Sequence, residues 1–327
     1  MAGDRLKNSR PTILPRNSNR NYALSVKIYW LLATSILISY AIGQTIFSGT
    51  KDQMLEWQPD RINLSQVQIV SQSDRRSRLQ ILLPLYIYPN WYDQHNYIWK
   101  QVIAAAKKVS IVAIINPNNG PNNAPPNTDY QQGIRDLQQA GVKVIGYVPS
   151  NYAKRNLKTV KADVDLYIKY FSVEGIFIDE AANTQDKLDY YHQIYRYIKS
   201  RSPQTTLQHQ QDYTVIINPG MDIDEGYLSQ PVADTIVIFE NYQQAWAKYR
   251  PPTYLEKYSS QHFAALIHTT ANQKLMKSTL DRAAKSKFGY VYITNDSTDT
   301  TNHNPWDTLP EYWQAEVNYI QQLNNAE

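Results

Sequence analysis

With 327 residues, 33 Lys and Arg against 29 Asp and Glu, and no cysteine, the chain can bury a barrel-sized core, and disulfides, thiolate metal sites and cysteine nucleophiles are excluded. The net charge of +4 is uneven, because eleven basic residues face five acidic ones before Leu79, which leaves 22 basic against 24 acidic residues beyond it. The larger part thus has no basic stripe for nucleic acid, while 26 tyrosines and 7 tryptophans suit either a packed core or the stacking of sugar rings.

Residues 1–27 are polar and carry Arg5, Lys7, Arg10, Arg16, Arg20 and Lys27 against Asp4 alone, which predicts a disordered, cytoplasmic basic tail. Residues 28–50 contain no charge, and their apolar heart at 28–47 is long enough for a membrane span of about 20 residues. The positive-inside rule keeps the tail in the cytoplasm and places everything after Lys51 on the extracytoplasmic side, periplasmic or extracellular. Ala41 and Gly43 also fit a cleavage site, so the segment reads as an uncleaved anchor, which is preferred, or as a signal segment whose loss frees a secreted domain. Residues 51–78, rich in Gln, Ser and Arg, read as a linker ahead of one domain at 79–327.

From Leu79 onward, strand-like runs alternate with helix-length segments. Strands are predicted at 79–88, 109–115, 142–148, 174–178, 214–218, 235–239, 263–268 and 289–294. Helices are predicted at 96–108, 129–140, 160–171, 185–201, 223–230, 254–258, 273–285 and 309–324. Eight alternations predict an α/β fold of the (β/α)8 TIM barrel type rather than an open doubly wound sheet. Neither glycine-rich nucleotide-binding motif is present, and the six histidines form no HxH, HxxH or HExxH group, so no cofactor and no metal is expected.

Chemistry in such a barrel sits at the C-terminal strand ends. Those ends carry Tyr86, Trp91, Asn116, Asn218, His268 and Asp296, with Trp246 and Trp306 in the loops, and these are the candidate substrate-binding residues. Asn116 and Asn218 each precede proline and equally suit a turn; His268 equally suits the core. Asp222 and Asp224 look like caps of the helix after strand five. Asp179 and Glu180 close strand four and Glu240 closes strand six. Carboxylates at a buried strand end need a partner or a task, and this set suits glycoside hydrolysis, with one protonated acid and one ionised carboxylate. Asp179 shares the parity of Gly175 and Phe177 and is expected to face the barrel axis as nucleophile or charge stabiliser, with Glu240 as acid/base and Glu180 as a rim residue that polarises them. Retention or inversion stays open.

The segments LLPLYIYP followed by Trp91, IINPNNGP, KVIGYV, GIFIDE, IINPG and IFEN together resemble, in that order, the spherulin-4 family. The resemblance implies a (β/α)8 barrel and endo-cleavage of α-1,4-linked galactosamine or N-acetylgalactosamine polymers of microbial exopolysaccharide. The family's Asp-Glu pair falls on Asp179 and Glu180 and its strand-six glutamate on Glu240. The expected partners are a polysaccharide substrate and, through residues 28–47, a membrane. The alternative is a non-catalytic carbohydrate-binding or assembly module that uses the same barrel mouth.

Overall fold

The computed structural model describes residues 78–203, 212–298 and 304–326. The predicted tail, the apolar segment at 28–50 and the linker up to residue 77 lie outside the described residues; among those described, no helix is long and apolar enough to cross a membrane.

Eight parallel strands form a closed barrel in chain order: β1 (Gln80–Leu85), β2 (Ile111–Ile115), β3 (Lys143–Pro149), β4 (Gly175–Asp179), β5 (Thr214–Ile217), β6 (Thr235–Tyr242), β7 (Phe263–His268) and β8 (Tyr290–Ile293). Most strands are nearly unbroken apolar runs because both faces are covered, one by the barrel interior and one by the helices. The crossovers carry α1 (Trp99–Ala105), α2 (Thr128–Gln139), α3 (Leu157–Phe171), α4 (Leu188–Ser200), α5 (Gly226–Ser229), α6 (Gln243–Lys248) and α7 (Gln273–Lys285), and α8 (Trp313–Asn325) follows β8. The starts of α2, α3 and α7 are set by Asn127, Asn156 and Asn272, whose side-chain oxygens accept from the first turn's backbone N–H groups.

The predicted TIM barrel is therefore present, with local differences. The helix expected at 223–230 shrinks to the single turn of α5, because Asp224 holds the Gly226 N–H at 2.8 Å in a side-chain turn. Asp222 caps nothing; it accepts from the Tyr249 hydroxyl. The short α6 was not foreseen, and β6 runs three residues beyond its expected end at Phe239.

Side-chain direction follows from close packing. A Cβ on Gly146 would meet the Tyr167 ring of α3 at 2.5 Å, so Gly146 faces the helices and its neighbour Tyr147 faces the interior. Tyr147 pairs with Phe177 in register and stacks on it at 6.3 Å; Tyr86 meets Tyr147 edge-on at 5.7 Å. The same parity carries Asp179 inward at the C-terminal end of β4. At the closing seam, β8 meets β1 through two register pairs, Gln80 with Tyr290 and Ile81 with Val291.

Candidate active site

Glu240 reaches the interior through a β-bulge. Val237 pairs with Ala264, yet Phe239 pairs with Ala265, so Ile238 is an extra residue and the side-chain alternation shifts by one. Phe239 then packs outward on Trp246 and Tyr249, with ring centroids 4.9 Å away in both cases, and Glu240 turns inward. The loop after β5 props this kink: Gly220 donates to Val237 O at 3.1 Å, and Glu240 N donates to Gly220 O at 3.0 Å.

Asn218 joins the two carboxylates. Its Nδ2 donates to Asp179 Oδ1 at 2.8 Å and also to Glu240 Oε2. Two oxygens that share one donor nitrogen lie no more than about 6 Å apart. Asp179 further accepts from the Tyr147 hydroxyl and from the backbone N–H of Glu180, whereas Glu240 has Trp306 as its second donor. Glu180 itself takes a left-handed turn (φ 49°) that ends the strand and aims its N–H back at Asp179. Its carbonyl receives Tyr152 N at 2.6 Å and Ser150 Oγ at 2.8 Å, which fixes the turn.

The two acids are driven apart in proton affinity. Burial first, and then the charge of Asp179, push Glu240 up to about 7, against the donors Asn218 and Trp306. Burial also raises Asp179, but three donors favour its anion and hold the rise back. Near neutrality the geometry therefore favours an ionised Asp179 beside a protonated Glu240. Burial and the same two charges hold the Tyr86 phenol neutral against the pair.

The remaining candidates divide. Trp306 is buried, not a stacking platform; it packs between His268 (6.0 Å) and Tyr292 (5.9 Å) and serves as donor to Glu240. His268 is buried, with Nδ1 2.8 Å from Thr269 Oγ1, and it flanks Trp306. Trp246 does not belong to the mouth at all. It is fully buried in the outer layer among Phe239, Tyr249, Phe288 and the Arg282 guanidinium, so no sugar reaches it. The Asn116 oxygen is held by Gly120 N at 3.0 Å, a turn-forming role. Asp296 orders its own loop: it accepts from Ser297 N and Thr308 Oγ1, and its carbonyl accepts from Thr269 N. Trp91 stands exposed on the rim. Tyr147, the third donor to Asp179, is the residue that site prediction missed; its signal was the alternation within KVIGYV, which puts it on the same face as Ile145.

Comparison with known proteins bears on the family and the fold. Spherulin-4 of Physarum polycephalum is 32% identical over 255 residues, which span 75% of this chain and 71% of that protein. The crystal structure of Aspergillus clavatus Sph3 in complex with GalNAc superposes with a TM-score of 0.63 at 24% identity, covering 75% of this chain and 98% of that one, a likeness of fold. The model of the spherulation-specific family 4 matches residues 80–320. The chain belongs to this family, the spherulin-4 family.

Proposed function

We propose that the chain is a retaining, endo-acting glycoside hydrolase of α-1,4-linked galactosamine or N-acetylgalactosamine exopolysaccharide, working on the extracytoplasmic side of a membrane to which residues 28–50 tether it. The observation that carries the reading is the carboxylate pair on one donor, Asp179 and Glu240 on Asn218, at the barrel mouth. Retaining glycosidases hold their two carboxyl groups about 5–5.5 Å apart, and inverting ones about 6.5–9.5 Å, to admit a water. A shared donor favours the shorter spacing. The sugar named with the Aspergillus clavatus structure, GalNAc, supports the substrate class.

In this mechanism Glu240 gives its proton to the glycosidic oxygen as the bond to the anomeric carbon breaks, and Asp179 attacks that carbon to form a glycosyl ester. Glu240, now a carboxylate, takes a proton from water; the resulting hydroxide displaces Asp179 and completes the cycle. Glu180 adds negative charge beside the pair.

The test incubates the purified full-length chain with the amino-sugar polymer and follows new reducing ends and their anomeric configuration by NMR. Retained α-configured oligosaccharides are expected, with a loss of at least about 100-fold in Asp179→Asn and Glu240→Gln. A chain that binds the polymer, releases nothing and is indifferent to both substitutions would instead be a binding module.

A further inference from the structure

Three aromatic rings crowd the rim just beyond β1: Tyr88 is 45% exposed, Trp91 38% and Tyr92 63%. Single rings in water are ordinary on a protein surface, but a fixed cluster calls for a ligand. Two of these rings are fixed, and Tyr92 lies edge-on to Trp91 at 6.3 Å. Asp129, in the first turn of α2, accepts from the Tyr88 hydroxyl at 2.6 Å and from Trp91 Nε1 at 3.0 Å, one ring on each oxygen. Asn127 donates to the Tyr88 hydroxyl at 2.7 Å with the same side chain that caps α2. Behind the rings, Tyr130 meets Tyr88 edge-on at 5.6 Å. A Cβ at Gly133 would lie 2.9 Å from Pro89 and 2.7 Å from Trp99, so glycine there lets the loop lie directly on α2. Water would satisfy those polar ring atoms equally well without ordering them. What the network supplies is ring orientation.

The position is on the same end of the barrel as the carboxylate pair, away from the pair itself. Tyr86, two residues before Tyr88, lines the interior against Tyr147 and feels the charges of Asp179 and Glu240. The five steps along the chain from Tyr86 to Trp91 span at most about 18 Å. The other exposed large hydrophobic side chains among the described residues, Tyr152, Met221 and Tyr242, also belong to the C-terminal ends of strands, after β3, after β5 and at the end of β6. Apolar exposure is thus gathered around the mouth. A pyranose ring offers a flat C–H face to such rings and hydroxyl or amine hydrogens to a carboxylate at their edge, whereas the Asp129 charge opposes an acidic polysaccharide.

We propose that Tyr88 and Trp91, oriented by Asp129, together with Tyr92 beside Trp91, form a remote subsite that grips neutral or amine-bearing sugar units of the polysaccharide at a distance from the bond cleaved between Asp179 and Glu240. The identity of the polymer rests on the hydrolase reading; the platform itself does not. Asp129 is a positioning residue, acting through the two rings it holds.

The experiment compares the full-length chain with Asp129→Ala, Asp129→Asn and Trp91→Ala. It measures KM and kcat on galactosamine-type polymer and on oligosaccharides of decreasing length, together with retardation in a gel containing the polymer. Asp129→Ala and Trp91→Ala are expected to raise KM on the polymer roughly tenfold, by an amount that grows with chain length, with the smaller change in kcat. Asp129→Asn, which keeps an acceptor for Trp91 and donates to the Tyr88 oxygen, recovers most of the loss. A KM change independent of length, or a loss confined to kcat, overturns the remote subsite while the hydrolase reading stands. Should the unaltered chain cleave nothing yet be retarded by the polymer, with Asp129→Ala running free, the platform stands and the hydrolase reading falls. If the unaltered chain is neither active nor retarded, both fall.

Discussion

Tyr147 decides how firmly Asp179 keeps its charge. It contributes one of the three donors on that carboxylate, from a ring locked between Tyr86 and Phe177. Asp179 is already raised above the ordinary carboxylate value by burial, so activity that needs its anion falls away on the acid side as the pH drops through that raised value. On the basic side, activity falls as Glu240 loses its proton at about 7. Tyr147→Phe removes a donor to the anion and raises Asp179 further. The acid limb of kcat/KM should move up by about one pH unit, and kcat/KM at its optimum should fall roughly tenfold. Glu240 lacks the Tyr147 hydrogen bond, so the basic limb should stay near its place. A pH–rate profile of the variant on the polymer checks this, and an unmoved acid limb would remove Tyr147 from the mechanism.

Among the elements, β6 shows what sequence could and could not disclose. Its apolar run marks a strand, as do the other seven, because length and punctuation by loops are local properties. Asp179 was also legible, since β4 alternates without interruption. Strict alternation along β6 would instead place Phe239 inside and Glu240 among the helices; the bulge at Ile238 reverses both, and it is created by pairing with β7 and by the β5 loop. Trp91, Trp246 and Trp306 looked alike as loop tryptophans, because only tertiary packing separates an exposed ring from a carboxylate donor and a core filler. The clasp of Tyr88 by Asp129 spans 41 positions and leaves no local pattern. Gly220 tests the propping of the bulge: its φ is 66°, and an added Cβ would sit 3.4 Å from Glu240 Cβ. Gly220→Ala should cost about 1 kcal/mol in stability through its left-handed φ, and relaxation of that strain at the Gly220 carbonyl that accepts Glu240 N should displace Glu240 and lower kcat roughly tenfold. Gly141, in the turn before β3, has φ 85° and nothing within 4 Å of an added Cβ. Gly141→Ala should therefore lose a similar amount of stability with kcat unchanged. Equal kcat for both variants would mean that the β5 loop does not position Glu240.

At the scale of the whole barrel, closure depends on its last helix. Because β8 and β1 share two register pairs, Ile293 N finds its partner on α8 instead, where Glu316 Oε1 accepts it at 3.0 Å. Asn324 of the same helix clips the chain before β1, donating to Leu79 O at 2.9 Å and accepting Leu79 N at 2.8 Å. Glu316 is fully buried, its Oε2 has no hydrogen-bond partner, and burial holds its carboxyl well above the ordinary range. A carboxyl raised on folding binds its proton more tightly in the folded chain, so its contribution is full below the unfolded value of about 4.3 and is lost as the pH rises toward the folded value. Glu240, raised to about 7, acts in the same direction. Glu316→Gln keeps an acceptor for Ile293 N and cannot ionise. It should stabilise the barrel at pH 8 by about 2 kcal/mol, or roughly 5 °C in Tm, with the gain shrinking toward zero at pH 5. Glu316→Leu leaves Ile293 N buried without a partner and should destabilise by about 1–3 kcal/mol at pH 5, where the native carboxyl is neutral and its charge cannot be the cause. Thermal unfolding of both variants at pH 5 and pH 8 separates the two roles. A Gln variant whose advantage is the same at both pH values would show that Glu316 closes the seam without titrating across that range.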